Sequence, residues 1–144
     1  MIMIATMVTT MARKHGKCGD GGSSSLGRTS HNVGQDCRSC HHPDGAGEVC
    51  WNIGGTIYAS NGSEPTAGAQ FRLFTKPLGK GDLKLQLQGD ALGNIYTSES
   101  ITFGSGLFQA IINAAGDTAF MNQAISDGAC NRCHGNTTGR ITLP

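Results

Sequence analysis

Two five-residue segments place two thiols and an imidazole at the same spacing. Both follow the pattern Cys-x-x-Cys-His, as CRSCH at 37–41 and CNRCH at 130–134. In this pattern the two thiols can add to the vinyl groups of a haem, and the adjacent imidazole can bind its iron. We therefore predict two covalently attached haem c groups. The predicted attachment residues are Cys37, Cys40, Cys130 and Cys133, and the predicted proximal iron ligands are His41 and His134.

Two other uses of paired cysteines compete with haem, namely a zinc site with four thiolate ligands and a pair of redox dithiols. Zinc ribbons usually separate their two cysteine pairs by about 15 to 20 residues, whereas Cys40 and Cys130 lie 90 positions apart. With 5 histidines in 144 residues, a histidine follows both pairs by chance in roughly one case in a thousand. The pattern therefore favours haem.

The remaining histidines are His15, His31 and His42. His31 is the expected distal ligand of the haem at Cys37 and Cys40, with the turn-prone loop 32–36 carrying it across the iron. His15 is the spare residue, either solvated within a basic run or a ligand in trans to the haem of a neighbouring subunit. Met121 is a further possible axial ligand, although a methionine beside an aromatic residue is more often a core residue.

His42 follows a proximal ligand directly, so it cannot reach the other face of the same iron. The sequence Cys-x-x-Cys-His-His at 37–42 is similar to that of small tetrahaem cytochromes, in which the second histidine binds a different haem. The resemblance implies that His42 is the distal ligand of the haem at His134. The two haems would then lie close together.

The other two cysteines, Cys18 and Cys50, are expected to form a disulfide around the first motif, because spare thiols pair in oxidising compartments. The alternative is a lipidated Cys18, since a polar tether, GDGGSSS, follows it at 19–25. The residues before Cys18 do not resemble a lipobox, which favours the disulfide.

The elements that must position these residues fall into three stretches. Residues 1–52 form an N-terminal arm and a first haem-binding loop region, 53–126 a β-sandwich, and 127–144 a second haem-binding segment. The alternation of LKLQLQ at 83–88, together with short β-rich runs at 54–59, 69–75, 93–98 and 107–113, predicts an antiparallel Greek-key sandwich with little helix. Residues 114–126 fit either a hairpin turn or a short helix.

The strand region resembles the carboxypeptidase-regulatory, transthyretin-like sandwich in GTIY at 55–58, PTAGAQFRL at 65–73 and DALGNIY at 90–96. These modules carry no active site, which implies a scaffolding role. HNVGQDC at 31–37 and DGACNRCHG at 127–135 are similar to exported, often outer-surface cytochromes of metal-reducing bacteria. That resemblance implies export to the cell surface or beyond, with the periplasm as second choice.

A haem with both axial positions filled leaves no open site for a substrate, so the predicted function is one-electron transfer by a dihaem cytochrome that is not an enzyme. Its expected partners are redox proteins or extracellular acceptors. A net charge of +1 argues against nucleic acid. The alternative is a small peroxidase or reductase with one open iron.

The N-terminal run 1–12 is apolar, too short to span a bilayer, and followed by basic residues, the reverse of a signal peptide. No transmembrane segment is expected, and an export signal would lie before this numbering or be atypical. The run is either a frayed tail or an arm that packs on another subunit. In the second case, subunits stacked head to tail would form an electron-conducting filament, since heterologous contacts that do not close generate polymers.

Overall fold

The computed structural model describes residues 19–144. The first described element is a short 3-10 turn at Cys37–Ser39, and a four-residue helix, α1, occupies Cys130–Cys133. The strands are β1 (Ile53–Tyr58), β2 (Gln70–Phe74), β3 (Leu83–Gln88), β4 (Asn94–Thr97), β5 (Phe108–Ile112), β6 (Thr118–Phe120) and β7 (Ile141–Thr142). The prediction of a mainly β fold with little helix is confirmed.

The strands form two sheets with the orders β4-β1-β7 and β3-β2-β5-β6. The four-stranded sheet is antiparallel throughout, and β1 pairs with β4 in the same sense. The expectation of purely antiparallel pairing is corrected at one place, because β7 lies parallel to β1, with Ile57 opposite Ile141. A parallel neighbour needs a long connection, and here strands β2 to β6 and helix α1 lie between β1 and β7 in the chain.

One hydrophobic core lies between the two sheets. Its members include Ile53, Ile57 and Ile95 from the three-stranded sheet, and Phe71 and Leu73 from the other. Strand β3 shows the predicted alternation, since its second and third leucines are buried and its lysine and glutamines are exposed. Its first leucine is the exception, because it stands at the open start of the strand and is exposed.

Residues 114–126 adopt the hairpin alternative. A turn at Asn113–Asp117 joins β5 to β6, and the Asn113 side chain accepts hydrogen bonds from the backbone N–H groups of Ala115 and Asp117. These local hydrogen bonds from the backbone to the Asn113 side chain stabilise the turn.

Strand β1 is the central element of its sheet, and all six of its residues are buried. Strand residues point alternately to the two sides of a sheet, so both faces of β1 must be covered. The core covers one face. The segments that carry the two Cys-x-x-Cys-His motifs cover much of the remainder, as the contacts below show.

Candidate haem-binding sites

The first motif is shaped by a capped 3-10 turn. The Asp36 side chain accepts from the backbone N–H of Arg38, and the His41 N–H donates to the Cys37 carbonyl at 3.0 Å. The Arg38 guanidinium donates to the Trp51 carbonyl at 2.9 Å, which ties the turn to the chain entering β1. The two cysteines and the histidine therefore share one locally rigid segment.

The structure brings His31 close to His41. Their ring centroids lie 5.9 Å apart with the planes inclined at 42°. Two imidazoles that bind one metal from opposite sides, each through a nitrogen about 2 Å from it, have centroids about 6 Å apart. The observed spacing therefore fits a bis-imidazole pair on one iron.

Both imidazoles line a cavity of about 240 Å³ that Cys37 and Cys40 also line. Val49, Trp51 and Tyr96 contribute apolar surface to the cavity. The Trp51 ring packs 5.6 Å from His41 and 4.8 Å from Tyr96 between centroids. All four residues predicted to hold the first haem thus face one partly apolar space, and the donor set fits that group.

Hydrogen bonding orients His41 for binding a metal. Its Nδ1 lies 2.9 Å from the Val49 carbonyl, and since a carbonyl only accepts, Nδ1 carries the hydrogen. Nε2 then keeps its lone pair. This is the arrangement usual for a metal-ligating histidine, whose second nitrogen donates to a fixed acceptor.

A polar cluster holds the His31 segment against β4. The fully buried Asp90 carboxylate accepts from the Ser30 hydroxyl and from the backbone N–H of Asn94. The Asn94 amide donates to the Ser30 hydroxyl at 2.8 Å and contacts the His31 carbonyl at 3.4 Å. The position of His31 therefore depends on residues some 60 positions away.

The second motif forms helix α1, and His134 follows it directly. The His134 N–H donates to the Cys130 carbonyl at 3.0 Å, and Nδ1 donates to the Gly139 carbonyl at 2.8 Å. Nε2 of His134 is thus left with its lone pair, as in His41. His134 lines a cavity of about 260 Å³, together with Met121, Phe120 and Arg140.

The second pair of thiols, unlike the first, does not line the same cavity as the histidine of its motif. Cys130 is buried and Cys133 is exposed, and neither lines the cavity at His134. Burial, followed by the charge of Asp127, raises the pKa of the Cys130 thiol to about 12. Burial likewise raises the pKa of Cys37. The first cysteine of each motif is therefore a protonated thiol at neutral pH in the haem-free chain.

The two motifs contact neighbouring residues of β1. A Cβ atom added at Gly54 would lie 2.8 Å from Cys37 Cβ, and one added at Gly55 would lie 2.9 Å from Cys130 Cβ. Since adjacent strand residues point in opposite directions, the two motifs approach β1 from its two sides. Only glycine leaves room for both.

Polar contacts join the motifs directly. Arg132 of the second motif forms an ion pair with Asp36 beside the first, at 3.2 Å, and Arg38 of the first lies 3.7 Å from Asp127 beside the second. The buried Asn131 side chain donates to the Gln35 carbonyl at 2.9 Å. We call these contacts, together with the packing on Gly54 and Gly55, the motif junction.

Asn131 also connects the junction to β1. Its Oδ1 accepts from the Thr56 backbone N–H at 3.0 Å, and its Nδ2 contacts the Thr56 hydroxyl at 2.9 Å. Sequence reasoning missed this residue, because it stands at a variable position of the motif. The paired glycines at 54–55 were a usable signal, since glycine inside a strand marks close approach of another segment.

The other predicted site residues are placed as follows. His42 is exposed, lines neither cavity, and donates through Nδ1 to the Arg38 carbonyl at 2.9 Å. Cys50 is disulfide-bonded. Its predicted partner Cys18, and also His15, lie outside the described residues, so these two predictions stay predictions.

None of the four motif cysteines forms a disulfide. Within residues 19–144, no three or more side chains of the types His, Cys, Asp and Glu are grouped around a common metal position. Over the same residues, no helix has both the length and the apolar character needed to cross a bilayer.

Comparisons of the chain with models of protein families, with curated proteins and with solved structures find no match.

Proposed function

We propose that this protein is a dihaem c-type cytochrome that transfers single electrons outside the cytoplasm. The observation that carries the proposal is the pair His31 and His41, whose rings lie 5.9 Å apart on the cavity that holds both thiols of the first motif. When bound, the haem supplies an iron that changes oxidation state by one electron.

The roles of the cysteines come from the spacing of the motifs. Cys37 and Cys40 would hold the first haem covalently, and Cys130 and Cys133 would hold the second. His41, fixed by Val49, and His134, fixed by Gly139, present Nε2 as proximal ligands.

His31, whose ring lies 5.9 Å from that of His41 between centroids, would supply the second ligand of the first haem iron, and that iron would then have no open position for a small molecule. This favours electron transfer over peroxidase or reductase chemistry, which needs an open axial position and an acid–base group beside it. Trp51 and Tyr96 contribute apolar surface beside the pair, and such surroundings help to set a haem potential.

The motif junction supports electron exchange between the two haems. Because Cys37 and Cys130 pack on adjacent glycines of one strand, the two attachment points lie close together on opposite sides of that strand. Export is supported by the disulfide at Cys50, since structural disulfides persist mainly in oxidising compartments. The redox partners of an exported cytochrome would be exported proteins or extracellular acceptors.

A filament of stacked subunits is the polymeric version of the same function. It depends on the apolar run 1–12 and on His15, which lie outside the described residues. Electron microscopy of the purified protein distinguishes the two versions, because discrete particles at every concentration would exclude the polymer.

Two measurements test the central proposal. The intact mass of the exported protein should exceed that of the polypeptide by two haems, and the oxidised protein should show a low-spin spectrum by visible and EPR spectroscopy. A mass with one adduct or none would refute it, and a large high-spin population in the wild-type protein would favour the enzyme alternative.

The variant His31→Gly tests the ligand pair. We expect one of the two haems to become high-spin and added imidazole to restore the low-spin spectrum by occupying the vacated space. A variant that stays low-spin without imidazole would show that another residue binds that iron.

A further inference from the structure

The loop that joins β2 to β3 lies beside exposed apolar side chains on the outer face of the four-stranded sheet. Leu78 in this loop is 58% exposed, and Leu83 and Phe120 are also exposed. These are three of the five large hydrophobic residues that are exposed within the described chain. A Cβ atom added at Gly79 would lie 3.2 Å from the Phe120 ring and 3.9 Å from the Phe74 ring. The loop and the sheet face therefore form one continuous apolar surface.

The same loop carries a concentration of positive charge. Lys76, Lys80 and Lys84 are all exposed, and they are the only lysines within the described part of the chain. With one aspartate, Asp82, among them, the loop has a net charge of +2. No carboxylate of the described residues forms an ion pair with any of these lysines. We call the following residues the basic loop surface: Lys76, Leu78, Lys80, Leu83, Lys84 and Phe120.

The loop is ordered by its own hydrogen bonds. The Thr75 N–H donates to the Asp82 carbonyl at 3.0 Å, and the Lys76 N–H donates to the Lys80 carbonyl at 3.2 Å. Leu78 has a φ of 59°, in the left-handed region that is unfavourable for a leucine. The fold thus holds a large apolar side chain outward at a cost in backbone free energy, which points to a use for that side chain outside the chain's own core.

The chemistry of the surface indicates its partner. An apolar side chain surrounded by lysines matches the interface of an anionic bilayer, where the apolar group enters below the headgroups and the ammonium groups meet the phosphates. A symmetric contact between two copies would instead bring their lysines face to face, which is unfavourable. The cations are lysines, which protein interfaces disfavour. The surface therefore fits a lipid better than a protein partner.

We propose that the basic loop surface docks this protein on a bilayer that contains anionic phospholipid, with Leu78 inserted at the level of the headgroups. The inference goes beyond electron transfer and uses no residue of the two haem motifs. Its success or failure is therefore independent of whether the chain carries haem.

The orientation of the docked protein follows from the sandwich. Ile53 and Ile57 of β1 face the core, so Gly54, which contacts Cys37, lies on the other face of its sheet. The first motif and the basic loop surface thus lie on opposite outer faces of the sandwich. The docked protein presents the cavity of the first motif to the aqueous side, where a soluble redox partner can approach it.

Cosedimentation of the purified full chain with lipid vesicles tests the charge. Vesicles of phosphatidylcholine with added phosphatidylglycerol should bind the protein, vesicles of phosphatidylcholine alone should not, and high salt should release it. Each lysine near an anionic surface contributes roughly fivefold to affinity, so replacing Lys76, Lys80 and Lys84 together by glutamine should weaken binding about 100-fold. Replacing the same three by arginine should preserve it. A wild-type protein that ignores anionic vesicles, or binds both kinds equally, would overturn the proposal and leave the surface to an acidic protein.

The variant Leu78→Asn tests insertion. Asparagine tolerates the left-handed backbone, so the fold should be preserved, while binding to anionic vesicles should fall about tenfold. The matched control is Leu92→Asn, an exposed leucine in the turn after the other end of β3, which should bind like the wild type. Unchanged binding in Leu78→Asn would reduce the surface to a patch that attracts any anion and overturn the insertion. A wild-type dimer in gel filtration that Leu78→Asn converts to a monomer would assign the surface to a second copy and also overturn the proposal.

Discussion

Replacing Asn131 by alanine tests the motif junction. The side chain is buried and makes three hydrogen bonds, with the Thr56 N–H at 3.0 Å, the Thr56 hydroxyl at 2.9 Å and the Gln35 carbonyl at 2.9 Å. The alanine variant removes all three hydrogen bonds at once. The Thr56 N–H on β1 and the Gln35 carbonyl beside the first motif then lose their bonds to this side chain.

The expected loss of stability follows from these contacts. A buried hydrogen bond contributes about 1 kcal/mol net, and each buried group left unsatisfied costs about 1–3 kcal/mol. We therefore expect Asn131→Ala to lower the free energy of unfolding by about 3–5 kcal/mol. This is a large part of the roughly 5–15 kcal/mol typical of a domain, so the melting temperature should fall by about 10 °C or more.

The assay is urea unfolding followed by far-ultraviolet circular dichroism, with Asn136→Ala as the control. Asn136 is exposed, and its side chain has a long hydrogen bond, 3.4 Å, to the Arg132 carbonyl, so removing that side chain should change the free energy of unfolding by less than about 0.5 kcal/mol. If Asn131→Ala unfolds within about 1 kcal/mol of the wild type, the junction does not depend on this side chain and the reasoning is wrong.

Four further predictions concern the same region. Gly55→Ala places a methyl group 2.9 Å from Cys130 Cβ and should cost about 1–3 kcal/mol through overpacking. Gly139→Ala meets no atom within 4 Å and should be neutral in the same unfolding assay; equal losses would contradict the packing argument. In haem-free protein, the buried thiol of Cys130, with its pKa raised from 9.0 to about 12, should react with iodoacetamide far more slowly than the exposed Cys133, because its thiolate fraction is about 1,000-fold below that of an ordinary thiol. Since the unfolded thiol ionises near 9.0 and the folded one near 12, unfolding releases a proton between these values, and stability should fall as pH rises through that range; a flat profile would contradict the burial. Arg132→Ala removes an ion pair whose arginine side chain is 55% exposed and should cost under 1 kcal/mol, less at high salt; a loss above 2 kcal/mol would contradict this surface assignment.

Local spacing was sufficient to predict features that involve only a few consecutive residues. The thiols and imidazole of each motif lie within five positions, and β3 shows its alternation within six. Such patterns depend on the period of the backbone and on bond lengths, which the order of residues determines. His31 was also predicted from local spacing, but its position beside His41 depends in addition on Asp90 and Asn94, some 60 positions away.

The approach of the two motifs to each other was decided only by the tertiary structure. Cys37 and Cys130 meet at Gly54 and Gly55 because sheet pairing carries segments more than 90 positions apart to one strand. No local pattern encodes that encounter, because its free energy comes from burying distant surfaces together. The parallel pairing of β7 with β1 and the place of Met121 beside His134 have the same origin. The sequence by itself determined which thiols and imidazoles have the spacing of a haem attachment site, and the tertiary packing decided which of them lie near one another.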